Sequence, residues 1–342
     1  MEKQNIKNLS AAELSAVIEE LGEKRHRAAQ ILKWLYQKGC GGFSGMTNLP
    51  TSLRLTLEKR FEITSLRLAE SVRSGADMSQ KFLLESDDGS RIEAVLMEAH
   101  GHRTICISSQ VGCALGCTLC RTGEGGFERD LRSDEILNQV LFFRTGFLPP
   151  RERFNIVFMG MGEPLLNLGN LTTALEILNS SDAFALGEKR ITVSTIGIPE
   201  AIRALARGSL KFSLAISLNA TTDEVRRRLM PAARNLDETL AAALEFALAR
   251  GTRVTIEYVL IENVNDTPED ARRLTELTAA RPFKINLIPF NEWEGCALRR
   301  PSEERIESFI ALLLPRAPAV TVRRSQGADI CAACGQLRLR RK

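Results

Sequence analysis

Cys113-Ala-Leu-Gly-Cys117-Thr-Leu-Cys120 gathers three thiols at C-x3-C-x2-C spacing, which scattered core cysteines have no reason to adopt. A closed zinc site wants a fourth Cys or His, and no histidine lies nearby downstream. A ferredoxin-type 4Fe–4S cluster also takes four thiolates. Three in one short loop fit a cluster with one iron left open to a substrate or cofactor. Glycines at 112, 116 and 123 suit a tightly wrapped loop.

Outward from this loop, strand and helix patterns alternate. Strands are expected at 104–109, 154–159, 190–195, 211–218, 252–260 and 283–288. Helices near 133–144, 170–179, 199–207, 236–250, 268–280 and 302–314 separate them. Such alternation argues for an α/β fold, a parallel sheet with covering helices, closed or partly closed into a barrel. Upstream, residues 62–100 read as a small β extension: Lys81-Phe-Leu-Leu-Glu85 and Ile92-Glu-Ala-Val-Leu-Met97 flank the turn signal Asp87-Asp-Gly89. Residues 1–61 read as a separate helical domain. Ser10-Ala-Ala-Glu13 is a capping box opening one helix, and a second amphipathic segment runs from about Lys24 to Lys38.

Of 342 residues, 44% are hydrophobic and 26% charged, which argues against wholesale disorder. No apolar run approaches the ~20 residues of a membrane-spanning helix, and the polar opening shows no secretory signal. A reducing cytoplasmic setting is therefore expected, where the eight cysteines serve metals, catalysis or cores. The net charge of +4 permits a nucleic-acid partner without demanding one. Residues 1–61 carry as large an excess, ten basic against six acidic, much of it around Lys24–Lys38 beside Trp34 and Tyr36. On charge alone, RNA contact and a solvated helix face are equally served.

In barrels of this kind ligands bind at the C-terminal ends of strands. The cysteine loop follows the first strand. Gly160-Met-Gly162-Glu163-Pro164-Leu-Leu-Asn167 follows the second, a turn whose backbone can approach an amino-acid moiety and whose Glu163 can meet an ammonium. Ser194, Ser217-Leu218-Asn219 and Asn291 sit at later strand ends, where each could equally be a turn or cap residue. The second sharp signal is Gly327-Ala-Asp-Ile-Cys331-Ala-Ala-Cys334-Gly-Gln-Leu337. No second cysteine pair completes a zinc cage there, and a thiol on such a tail can serve as nucleophile and group carrier.

Taken together these stretches resemble the RlmN and Cfr family of radical S-adenosylmethionine (SAM) RNA methyltransferases. The resemblance runs from Gly22-Glu-Lys-Arg, Trp34-Leu-Tyr-Gln and Met46-Thr-Asn-Leu through Ile107-Ser-Ser-Gln-Val-Gly-Cys113, Ile191-Thr-Val-Ser-Thr and Lys284-Ile-Asn-Leu-Ile-Pro to Ala332-Ala-Cys-Gly-Gln. It implies a partial (β/α)6 barrel over 101–325, with 1–61 contacting RNA and 326–342 carrying the methyl-carrier cysteine. It implies that Cys113, Cys117 and Cys120 hold a 4Fe–4S cluster, and that Gly162, Glu163, Ser194, Ser217, Leu218, Asn219 and Asn291 line SAM. Cys334 is then the methyl carrier, Cys106 the resolving thiol and Glu93 the proton acceptor, with a transient Cys106–Cys334 disulfide closing each turnover. The implied reaction is methylation of C2 of adenine 2503 in 23S rRNA, with adenine 37 of tRNA as a second substrate. C8 methylation of the same rRNA base is the alternative, and Gly-Glu-Pro164 looks more like the C2 branch. A radical SAM enzyme with a non-RNA substrate is a further reading. The family also implies a monomer served by an electron donor such as flavodoxin or ferredoxin, with no membrane partner. Asn219 departs from the family's Ser-Leu-His: it keeps a hydrogen bond but cannot titrate. Cys331 is an extra thiol expected to be neutral, and neither Cys40 nor Cys296 receives a role. Arg338, Arg340, Arg341 and Lys342 either grip phosphate or dangle.

Overall fold

The computed structural model describes residues 3–99, 101–149, 152–317 and 319–337. Its frame is one ten-stranded sheet. In chain order the strands are β1 (Arg67–Arg73), β2 (Gln80–Glu85), β3 (Arg91–Ala99), β4 (His102–Cys106) and β5 (Phe154–Phe158). There follow β6 (Ile191–Thr195), β7 (Ser213–Ser217), β8 (Val254–Leu260), β9 (Phe283–Pro289) and β10 (Val320–Val322). They lie side by side in that order, antiparallel from β1 to β4 and parallel from β4 to β10.

One face of the parallel part is apolar and packs in the core: Ile156, Val193, Leu214, Ile216, Ile256 and Ile285 share it by register and are all fully buried, whereas Ser194, Ser217 and Glu257 lie on the opposite face and line a cleft. Ser133–Gly146, Leu168–Asn179, Pro199–Ala206, Leu236–Arg250, Pro268–Thr278 and Glu303–Leu313 are the main covering helices. Local signals set their ends. Thr267 forms a capping box with Asp270 ahead of Pro268, and Gly251 closes its helix at φ 61°. Strands β4 to β9 with these helices make a partial (β/α)6 barrel. The sheet stays open, with β1 at one edge and β10 at the other.

Three elements differ from expectation. The first barrel strand stops at Cys106 rather than 109, because Gln110–Gly112 leaves the sheet to pair with Phe127–Asp130. The helix Asp223–Leu229 has only one short turn pattern and a run of three arginines, and β10 is three residues long. Both are too short to carry a hydrophobic period.

The N-terminal helices Ala11–Glu20, His26–Leu32 and Thr51–Arg60 pack into the same continuous core as the barrel. Ser10 and Glu13 exchange the two bonds of the capping box, and the second helix widens into a π-helical turn over Lys33–Gln37 before Gly39. Lys7 fastens this unit to the barrel, its Nζ donating to Asn138 Oδ1 (2.7 Å) and Thr64 O (2.9 Å). Asn8 Oδ1 caps the helix that starts at Ser133, accepting from Asp134 N at 2.9 Å. Among the described residues no helix is long and apolar enough to cross a membrane. The terminal basic residues Arg338, Arg340, Arg341 and Lys342 lie outside the described residues.

Candidate active site

The ends of β4 to β9 surround an open cleft. Cys113, Cys117 and Cys120 line it together with Gly162, Glu163, Ser194, Ser217, Asn219, Asn291 and Cys334.

The cysteine loop closes on itself through Cys113 N to Gly126 O (2.8 Å) and Cys120 N to Cys117 O (3.1 Å). Gly112 holds φ 78° where a Cβ would meet Gly126 O at 2.0 Å, so only glycine fits. Burial pushes the Cys117 thiol up to about 12, and the neighbouring Cys120 and Cys113 add to it. Burial likewise raises Cys113 to about 11, and raises Cys120. Three mutually opposed thiols ionise together only against strong positive charge, which iron supplies. Among the described residues no three Cys, His, Asp or Glu side chains converge on a single-ion position. A cubane does not require it, since each thiolate binds a different iron. The donor set therefore fits a cluster.

Glu163 is almost fully buried, and its two oxygens accept from Leu165 N (3.0 Å) and Ile196 N (2.9 Å). Burial raises its pKa, while these amides and Thr195 oppose the rise. Glu163 lines the cleft. Gly162 sits at φ 96° with Gln110 so close that a Cβ would stand 2.5 Å from it. Ser194 Oγ donates to Glu257 Oε2 at 2.7 Å and lies 3.4 Å from Ser217 Oγ. Asn219 holds φ 58°, a region Asn tolerates, and its Oδ1 accepts from Val259 N at 3.0 Å, tying the end of β7 to β8. Leu218 is placed differently from the rest: its side chain is fully buried in the main core and does not line the cleft.

The tail runs over the mouth. Asn291 Nδ2 donates to Cys334 O (3.0 Å), and Arg121 N to Gly335 O (2.7 Å). Cys334 also lines a smaller adjoining cavity with Cys106, Met97, Met159 and Arg323. Cys106, at the end of β4, is pushed up to about 12 by burial and then by Cys334, with Arg323 opposing. Glu93 stands on the neighbouring strand β3, nearly buried, paired with Lys81 Nζ at 3.1 Å, and the same ammonium donates to Cys331 O at 3.2 Å. The Cys106–Cys334 disulfide expected of turnover is not formed: all eight cysteines are free thiols. Cys296 lies buried beneath Trp293, and Cys40 donates to Gly42 O within the N-terminal unit.

Sequence reasoning passed over Glu257, Arg323 and Lys81. A glutamate inside Val254-Thr-Ile-Glu257-Tyr258 was a readable signal, since charge within a buried strand needs a purpose. Nothing local marks Arg323 or Lys81.

Comparison with known proteins gives the same outline. Residues 4–63 match the ribosomal RNA large subunit methyltransferase N-terminal domain, and residues 107–275 the radical SAM superfamily. The chain is 47% identical over 340 residues to the dual-specificity RNA methyltransferase RlmN of Geotalea uraniireducens, covering 99% of this chain and 97% of that one. It is 47% identical to the protein of the same name from Geobacter sulfurreducens, with 98% and 92% covered. A crystal structure of a radical SAM methyltransferase from Sphaerobacter thermophilus superimposes with a TM-score of 0.89 at 38% identity, covering 97% of this chain and 98% of that one.

Proposed function

The chain belongs to the RlmN family of dual-specificity radical SAM RNA methyltransferases, which use a 4Fe–4S cluster and SAM, and from that premise we propose that it methylates C2 of adenine 2503 in 23S rRNA and of adenine 37 in tRNA. The observation that carries this reading is the position of Cys334. It stands between the cleft of the cysteine triplet and the cavity of Cys106.

Cys113, Cys117 and Cys120 hold the cluster, and Gly162, Glu163, Ser194, Ser217, Asn219 and Asn291 orient SAM, Leu218 contributing by backbone alone. Held there, the cluster and SAM would supply one-electron chemistry able to remove a hydrogen atom. An adenine C2 is electrophilic and cannot attack a methyl cation equivalent, so a protein thiol must carry the methyl group first. Cys334 takes the methyl from one SAM as a thioether, and once that S-methyl group has lost a hydrogen atom its carbon joins the adenine ring while still attached to the sulfur. Glu93, nearly buried and paired with Lys81, takes the ring proton as the adduct gives up its unpaired electron, which would return along the path that delivered it. The Cys106 thiolate attacks the Cys334 sulfur, and the expelled carbon takes back a proton to become the methyl group, leaving a disulfide that cytoplasmic reductants reopen. The chain acts as a monomer, with residues 1–61 contacting RNA and a flavodoxin or ferredoxin supplying electrons.

Incubating the reconstituted protein anaerobically with rRNA and tRNA fragments, then digesting and comparing nucleosides with standards, tests the proposal. The expected product from both is 2-methyladenosine. Exclusive 8-methyladenosine would overturn the C2 assignment, and an unmodified tRNA the second substrate.

A further inference from the structure

A cluster on Cys113, Cys117 and Cys120 must receive its electron from a side that SAM and RNA do not occupy, and the cysteine loop has such a side. Leu115, Cys117 and Leu119 line the cofactor cleft. Thr118, between them, instead lines a separate open cavity with Glu124, Arg228, Leu229, Trp293 and Cys296. Thr118 is held in place by its amide and hydroxyl, which donate to Leu229 O at 2.9 and 3.2 Å. Leu229, Trp293 and Cys296 belong to the same apolar cluster against which Cys113 and Cys117 pack. The Trp293 ring lies 5.4 Å from Phe290, which lines the cofactor cleft. One layer of side chains therefore separates this outer cavity from the cluster thiols.

The rim chooses the partner. Arg227 and Arg228 are exposed at the end of Asp223–Leu229, and neither has an ion pair among the described residues. The acidic residue of the lining, Glu124, accepts from the Trp293 indole at 3.2 Å. The Arg228 guanidinium on a largely apolar lining, with Arg227 exposed next to it in the chain, suits an acidic protein. In the proposed reaction the reactive base meets Cys334, which lines the cofactor cleft and not this cavity.

We propose that this cavity docks a small acidic one-electron carrier protein whose reduced flavin or iron–sulfur centre gives one electron to the cluster. The carrier is oxidised by one electron and the cluster reduced by one, with no bond made or broken. The inference rests on the cluster reading above.

The test compares Arg227→Glu/Arg228→Glu and Arg227→Gln/Arg228→Gln with the parent, measuring 5′-deoxyadenosine formation driven by reduced flavodoxin or by dithionite. With flavodoxin at low salt the reversed pair should lose roughly tenfold or more in rate and the neutral pair less, in keeping with steered association. Raising the salt should narrow both gaps. With dithionite all three proteins should match, and their affinity for an rRNA fragment should be equal. Equal flavodoxin rates, equal losses with both reductants, or a parallel loss of RNA affinity would each overturn the docking face. If the parent with dithionite makes no 5′-deoxyadenosine, the cluster reading itself has failed.

Discussion

At the scale of single residues the thiols divide into two groups that substitution can separate. Cys113→Ala removes one corner of the cluster, so bound iron should fall from about four per chain toward zero. Cys334→Ala leaves the triplet and Glu163 intact. It should keep its iron and lose all RNA methylation; retained turnover would refute the carrier role. Asn219 shows why one departure from the family is tolerated. Its amide oxygen takes the Val259 N–H at 3.0 Å, a task that needs an acceptor and no titrating group. Asn219→Ala would leave that half-buried amide without its acceptor and place alanine at a left-handed φ, a combined cost of about 2 kcal/mol. Urea unfolding reads this directly, and an unchanged midpoint would show that the strand ends are held by something else. These local roles were only half legible. The C-x3-C-x2-C spacing announces its chemistry in one dimension, whereas the bond from Asn219 to Val259 depends on two strands meeting and leaves no trace in either stretch.

Among elements, the joint between the N-terminal helices and Ser133–Gly146 carries a pH-dependent term. Burial lowers the Lys7 pKa from 10.5 to about 8, the Asp134 carboxylate opposing the shift. Between those values the unfolded chain holds a proton that the folded chain has released, so raising pH through the window favours the folded form. Relative to Lys7→Met, the parent should gain about 2 kcal/mol between about pH 8 and about pH 10, and nothing below. A flat difference between the two proteins across that range would mean that Lys7 is not desolvated. Element boundaries were the readable part of this chain: Ser10 and Glu13, Thr267 with Pro268, and Gly251 all stop or start helices where their chemistry says. What escaped is tertiary. Lys7 reads as one more surface lysine of a basic domain, and only the fold buries it against Asn138.

For the molecule as a whole, the open sheet leaves its barrel incomplete, and the tail bridges the gap between the β extension and the barrel mouth. Asp329 accepts from Ser74 Oγ (2.8 Å) and Gly75 N (2.9 Å), and Asp77 accepts from Gly327 N (2.7 Å), all in or beside the β1–β2 turn. Lys81 holds the Cys331 carbonyl on the same side. Across the cleft, Asn291 takes Cys334 O, Thr122 Oγ1 donates to Leu337 O (2.6 Å), and Gln336 Nε2 to Glu292 O (2.6 Å). Cys334 is thus placed by two separate pieces of the molecule, and loosening one should misplace it without touching the cluster. In Asp77→Ala/Asp329→Ala the barrel-side bonds survive while the extension-side anchors go. Trypsin cleavage at Arg323 or Arg324 should then speed up several-fold, and methylation should fall in kcat, because a poorly held thiol costs orientation. KM for SAM and bound iron should stay as in the parent. The isosteric Asp77→Asn/Asp329→Asn pair keeps an acceptor oxygen at each position and should recover most of the rate. Loss of iron in step with activity, or unaltered proteolysis, would place the tail's anchorage in the barrel alone.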